Sequence, residues 1–392
     1  MSNDATSAKA PVVIVGSGLA GYAVAREFRK LDKETPLVVL SRDHGGFYSK
    51  PMLSNALAGN KTAASLLMKP ADKMAAELNA SVRSDVSVQS VETAERRLTL
   101  EGGEVLPYRD LVLALGADPI RLPMAGDAAD TVLSVNDLDD YARFASALEG
   151  AHSVAILGGG LIGCEFANDL LHRGITPTVL DVADRPLSRL LPAEASAWLR
   201  SRLEAAGVTF RLGVAASRID HTPAGGLTLA LSDGSTLRCD RVLSAIGLRP
   251  RVGIAEAAGL STGRGITTDR QLATSAAHVY AVGDCADVMG LNLPYVMPLM
   301  QQSRALAATL CGRPTPVSYP AMPVLVKTPA CPTVVCPPPP GATGQWQITS
   351  TDEACEARHV GADGRLLGFA LLGTATTKKQ TLTADVPAWL AD

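Results

Sequence analysis

The sequence predicts an α/β protein made of two parallel-sheet units, one inserted within the other, followed by a small, mostly β C-terminal domain. Three observations carry this expectation. Two segments repeat one plan of strand, glycine turn, helix and strand. Two short apolar strands each break at a glycine and then at a proline, as chain crossings do. After about Thr315 the helical texture gives way to extended, proline-rich text.

The first unit is "PVVIVGSGLAGYAVAREFRKL", a buried strand, a turn and a helix with apolar residues at helical spacing, continuing into the strand "PLVVL". "HSVAILGGGLIGCEFANDLLHRG" repeats the plan in a different sequence and continues into "PTVL". Each is a βαβ unit, which requires a parallel sheet covered by helices on both faces. Between them, "YRDLVLALGADPIRLP" reads as a closing strand that breaks at Gly116 and crosses over. "CDRVLSAIGLRPR", broken at Gly247 and Pro250, reads as the crossing back. "GITTDRQLATSAAHVYAVGDCAD" then supplies a strand ending in a Gly-Asp turn. The expected domains are residues 1–115 with 241–315, an inserted domain at 116–240, and a C-terminal domain at 316–392. That last part holds "YPAMPVLVKTPACPTVVCPPPP" and strand-turn-strand text such as "EARHVGADGRLLGFAL".

The turns carry the chemistry. In "GSGLAG", Gly16, Gly18 and Gly21 stand at G-x-G-x-x-G spacing, with Ser17, Leu19 and Ala20 between them. The first glycine permits the tight turn, the second admits a pyrophosphate and the third lets helix and strand pack closely. The helix N-terminus then presents unpaired N–H groups to the phosphates. Gly158, Gly160 and Gly163 of "GGGLIG" repeat the spacing. One such loop is a weak signal, but two in strand-turn-helix context predict two Rossmann-like dinucleotide-binding domains. Two dinucleotides on one chain suggest that one reduces the other, so FAD with a nicotinamide cofactor is the economical pair. Asp181 ends the strand "PTVL", where a carboxylate accepts hydrogen bonds from ribose hydroxyls and repels a 2′-phosphate. This favours NADH over NADPH, with Arg185 and Arg189 nearby as the opposing feature; a solvated strand end would look the same. In the first unit Ser41 stands where an acid is usual, and Asp43 or the Arg42 backbone is the candidate for the adenosine. Asp284, in the "VGDCAD" turn, is placed to bond ribitol hydroxyls.

Bulk properties exclude several classes. The formal net charge of −3 argues against nucleic-acid binding. The start "MSNDATSAKA" lacks the apolar core of a signal peptide, and apolar runs fall short of a membrane span. Seven scattered cysteines suggest a reduced, cytoplasmic protein. No four ligands cluster as a zinc or iron–sulfur site, so no metal is expected.

Together "VVIVGSGLAGY", "FYSKPMLS", "GGGLIGCEFANDL", "SAIGLRPR", "YAVGDCAD", "YVMPLM" and "MPVLVKTPACP" closely resemble the bacterial rubredoxin–NAD+ reductases, from about Pro11 into the C-terminal region. The glycine loops and "GDCAD" belong to the wider superfamily with glutathione reductase, whereas the Lys50 and "VKTPACP" segments are more discriminating. The resemblance implies an enzyme that passes electrons from NADH through FAD to rubredoxin, an iron protein supporting alkane hydroxylation. It also implies FAD contacts at the Gly16–Gly21 loop, Arg42, Asp43, Lys50, Val88, Glu165, Asp284, Val296 and Lys327. Gly158, Gly160, Gly163, Asp181 and Gly247 fall to NAD. For Val88, Val296 and Lys327 the resemblance stands alone; by pattern the valines read as core and the lysine as a surface charge. Lys50 and Glu165 are implied to be a catalytic ion pair beside the flavin ring, the cation favouring the anionic reduced flavin.

A disulfide-reducing relative needs two cysteines near Lys50 and a histidine–glutamate couple near its C-terminus. Here no cysteine precedes Cys164, and the last fifty residues hold only His359. Cys331 and Cys336 have the redox-pair spacing but lie in extended, proline-flanked text of the C-terminal domain. The flavin is therefore expected to be the last redox centre, handing electrons singly to a carrier. A ferredoxin reductase of an oxygenase system has the same pattern and is the nearest alternative. A flavin-binding interaction protein with incidental reductase activity is the alternative of a different class.

Overall fold

The computed structural model describes residues 10–391; the polar start read above lies almost wholly outside them. The first sheet has five parallel strands, in the order Val279–Ala281, Asp110–Leu113, Val12–Val15, Leu37–Leu40 and Ser81–Arg83. Its members come from both ends of the nucleotide-binding region, as an insertion requires. Helix α1 (Leu19–Leu31) follows the first glycine loop and buries Tyr22, Val24, Ala25 and Phe28, one helical face, in the core of this sheet.

The second sheet has four parallel strands, in the order Thr209–Leu212, Thr176–Asp181, Ser153–Leu157 and Arg241–Ser244. Helix α2 (Leu161–Leu171) follows its glycine loop, and helix α3 (Ala193–Ala205) packs nearby. The strand Arg241–Ser244 corrects the expected boundary at 240/241. Leu243 fills one face of the second sheet and Val242 the other, so this strand belongs to the inserted unit. The chain returns only at Leu248–Pro250, which pairs antiparallel with the outgoing Ala117–Pro119. Arg251 fastens the two crossings by donating to Asp118 from Nε at 2.8 Å and to the Leu115 carbonyl at 2.6 Å.

Helix α4 (Val296–Leu310) lies against α1 on the first sheet. The C-terminal sheet is antiparallel, in the order Val324–Val326, Thr333–Cys336, Leu366–Gly373, Ala354–Val360 and Gln345–Ser350. Its central strand "LLGFALLG" is apolar on both faces because both are covered. Ala370 and Leu372 pack with Phe166 of α2 and Leu199 and Leu203 of α3. Phe369 and Leu371 pack with Leu382 and Val386 of the closing segment. One hydrophobic core thus runs from the inserted unit into the C-terminal sheet. Among the described residues no helix is long and apolar enough to cross a membrane.

Candidate functional site

The two glycine loops divide their glycines between two duties. Gly16 has φ +117°, and a Cβ there would stand 2.2 Å from the Ala114 carbonyl oxygen; one on Gly21 would stand 1.9 Å from that of Gly16. Gly158 (φ +106°) and Gly163 meet the Ala245 and Gly158 oxygens at 2.6 and 1.9 Å in the same way. These outer positions are glycine because the protein's own backbone is in the way. Gly18 and Gly160 differ: a Cβ on either would meet no protein atom within 4 Å. Each is the N-cap of its helix, with no side-chain cap, so the first-turn N–H groups of α1 and α2 point out unpaired. A bare cap facing open space is what an approaching pyrophosphate needs, and FAD and NADH fit the two cradles.

At the first strand end, Ser41 is reconciled with the missing acid. Its hydroxyl donates to Asp43 Oδ1 at 2.6 Å and lies 2.6 Å from the Ser17 hydroxyl, drawing the Asp43 carboxylate back towards the glycine loop. The Gly45 N–H also donates to Asp43 at 2.9 Å. The Arg42 side chain is exposed and pairs loosely with Asp118 at 3.7 Å. Val88 lies on the antiparallel strand Val88–Glu92 and packs against the first core; the residue joined to this strand end is Val86, whose N–H donates to the Ser41 carbonyl at 2.8 Å. At the second strand end, Asp181 accepts from the N–H of Gly159 at 2.5 Å and of Ala183 at 2.8 Å, which folds its carboxylate over the glycine loop. The Arg185 guanidinium is drawn aside to Asp184 at 2.8 Å. Gly247, at φ +121°, accepts the Ile120 N–H at 3.0 Å and sits on the crossing.

Asp284 is carried to the first cradle by packing. A Cβ on Gly283 would stand 2.7 Å from that of Ala20 in α1, so the Gly-Asp turn abuts the first turn of that helix. Gln302 of α4 accepts the Gly283 N–H at 2.7 Å, and Asn292 donates to the Asp284 and Ala286 carbonyls. Val296 is the first residue of α4, half-exposed, behind a Tyr295 N-cap that makes no side-chain bond. Lys50 opens a 3-10 turn, Lys50–Asn55, and is half-buried. Burial pushes its ammonium below the ordinary lysine value, with Asp284 the largest influence in the other direction.

Glu165 corrects the expected ion pair. Its carboxylate is fully buried and pairs with Lys327, not Lys50. Lys327 donates its N–H to Oε1 at 2.8 Å and its ammonium to Oε2, which also accepts the Ser54 hydroxyl at 2.5 Å. The segment after strand Val324–Val326 runs directly past α2 and brings Lys327 to Glu165, whereas the carboxylate that acts most on Lys50 is Asp284. Lys327, which pattern assigned to the surface, is thus a partly buried partner of a buried carboxylate. Sequence reading also missed Asn168 and Asp169 of α2. Asn168 accepts the Ala330 N–H at 3.0 Å, and Asp169 accepts those of Leu57 and Ala58, both at 2.9 Å. The available signal was three polar residues at i, i+3 and i+4 on an otherwise apolar helix.

Cys331 and Cys336 are both buried free thiols on opposite faces of the C-terminal sheet, the first in the second core and the second in the fourth. Burial pushes both thiols up to about 11, away from a reactive thiolate. This placement cannot serve as a redox pair.

Residues 10–307 match the family model described as pyridine nucleotide-disulphide oxidoreductase. The chain belongs to this family. Residues 316–386 match a second model, described as rubredoxin binding C-terminal domain. Family relatives include the rubredoxin-NAD(+) reductase of Alcanivorax borkumensis, 51% identical over 378 residues, 96% of this chain and 99% of that one. The rubredoxin-NAD(+) reductase of Acinetobacter baylyi is 46% identical over 384 residues, 96% of this chain and 98% of that one. Among solved structures, a ferredoxin reductase from Rhodopseudomonas palustris superposes with a TM-score of 0.87 at 28% identity, covering 96% of this chain and 95% of that one.

Proposed function

We propose that this chain is an NADH-dependent FAD oxidoreductase that reduces rubredoxin and, through it, supports alkane hydroxylation. The observation that carries the reading is the C-terminal sheet, matched to rubredoxin-binding domains, whose Lys327 reaches into the nucleotide-binding body to pair with Glu165. The α1 N-terminus and the Gly16–Gly21 loop would hold the FAD pyrophosphate, with Asp43 towards the adenosine, Asp284 towards the ribitol and Lys50 with Val296 towards the ring. The α2 N-terminus and Asp181 would hold NADH. Bound FAD supplies the conversion of a two-electron donor into one-electron output. The polypeptide orients both nucleotides, keeps a partly desolvated cation at the turn that opens with Lys50, and separates Cys331 and Cys336 onto opposite faces of the C-terminal sheet. We assign the protein to the cytoplasm, consistent with its seven free cysteines; cell fractionation tests this.

The decisive experiment follows NADH-driven rubredoxin reduction optically, with NADPH and a ferredoxin as controls. Fast reduction of rubredoxin by NADH supports the reading. Preference for ferredoxin would favour the second reading, suggested by the ferredoxin reductase likeness. Negligible turnover with every carrier would point to a flavin-binding interaction protein.

A further inference from the structure

One face of α2 carries three buried polar side chains, Glu165, Asn168 and Asp169, each at most 3% exposed. A helix buried on nearly all sides carries such groups only when every one is paired, because each would otherwise cost a full desolvation. Two of them reach the Lys50 turn. Glu165 takes the Ser54 hydroxyl from inside the turn, and Asp169 takes both free N–H groups at its exit, Leu57 and Ala58. Leu53, Ala56 and Leu57 pack into the same core as Phe166 and Leu170, so the turn is seated on α2 by apolar contact and aligned by the carboxylates. The N-terminus of this helix is the second glycine loop. A single rigid element therefore connects the second nucleotide cradle to the backbone that aims Lys50.

We propose that Asp169 is a positioning residue: by bonding the Leu57 and Ala58 N–H groups it fixes the Lys50 turn to α2, and so sets where the Lys50 ammonium stands relative to a dinucleotide at the second cradle. This rests on the function proposed above. Two N–H donors to one carboxylate define both the height and the rotation of the turn, which a single bond does not. Asp169→Asn keeps the volume but sets an amide N–H₂ against one of the two donors, leaving the turn free to lift at its exit.

The test is a double-mutant cycle on the FAD-loaded full chain, using Lys50→Met, Asp169→Asn and the double variant. Hydrogen–deuterium exchange of the peptide covering residues 50–60 reports the turn itself and should rise in Asp169→Asn. Stopped-flow reduction of the flavin by saturating NADH should slow by roughly three- to tenfold, as expected of a displaced group. In the Lys50→Met background the same change should have no further effect. Asn168→Ala, which releases the Ala330 segment and leaves the turn untouched, should not reproduce the rate loss. Independent, multiplying rate losses in the double variant, or unchanged exchange in Asp169→Asn, would overturn the assignment. If Asp169→Asn does not fold, Asp169→Ser, which keeps one acceptor, carries the same cycle. A wild-type flavin that NADH leaves oxidised would instead sink the proposed function.

Discussion

Lys327→Met probes the buried pair at the join between the C-terminal domain and α2. Methionine preserves length and apolar stem but removes the ammonium, leaving the fully buried Glu165 with only the Ser54 hydroxyl and the Lys327 N–H as donors. Stripping one partner from a buried pair costs about 3–5 kcal/mol. Two surviving donors, each worth roughly 1.5–3 kcal/mol to a charge, place this case at the low end, about 3 kcal/mol. Glu165→Gln is milder, about 1–2 kcal/mol, because an oxygen still faces the Lys327 N–H and the lysine side chain, 22% exposed, retains water. Combining both removes the stranded charge, so the double variant should be more stable than Lys327→Met alone, by about 1 kcal/mol. Urea unfolding followed by far-UV circular dichroism and by release of flavin fluorescence measures all four proteins. A double variant that loses the sum of the single losses would refute the reasoning, since it would mean the carboxylate never depended on the ammonium.

Three further outcomes are expected. Gly16→Ala should lower stability by about 3 kcal/mol or more, since its Cβ meets the Ala114 oxygen, whereas Gly18→Ala should change stability by less than about 0.5 kcal/mol and instead loosen FAD roughly tenfold; calorimetry and flavin titration separate the two. The Arg251 guanidinium beside Asp118 holds its carboxyl below the ordinary aspartate range, so the pair's contribution is complete above that range and fades as pH falls through the lowered folded value. Asp118→Asn should thus cost about 0.5 kcal/mol at pH ~7, for a half-exposed pair, and less at pH ~3, read from unfolding free energies. Replacing Cys331 and Cys336 together by alanine should leave carrier reduction within about twofold while costing ~1 kcal/mol per site; loss of electron transfer at unchanged flavin reduction by NADH would show that a thiol takes part.

The parts of the fold set by local chemistry were legible. Both βαβ units, their glycine loops and the crossings announced themselves because a strand, a bare turn and an amphipathic helix are written in consecutive residues. What stayed hidden depends on neighbours distant in sequence. The boundary at 241 failed because "RVLS" looks alike as a crossing or as an edge strand, and only Val242 and Leu243 filling opposite faces decides it. Asp43 was readable as a candidate, but that Ser41 hands the acid's place to it required the fold. Lys327 was unreadable by pattern, since a lone lysine after a short strand is ordinarily solvated, and its carboxylate partner lies 162 residues away in sequence. Asn168 and Asp169 were visible as polar residues on an apolar helix, yet nothing local says which backbone they satisfy.

The hydrophobic seam joining the inserted unit to the C-terminal sheet limits how such enzymes can be rebuilt. A chimera that exchanges the C-terminal module to change the electron acceptor would uncover Phe166, Leu199 and Leu203 on one side and leave Glu165 facing a foreign segment on the other. Acceptor choice is therefore not a detachable cassette here. To retune it, substitutions on the outward strands are the compatible route, with the inward face of "LLGFALLG" and the residue at position 327 kept as they are.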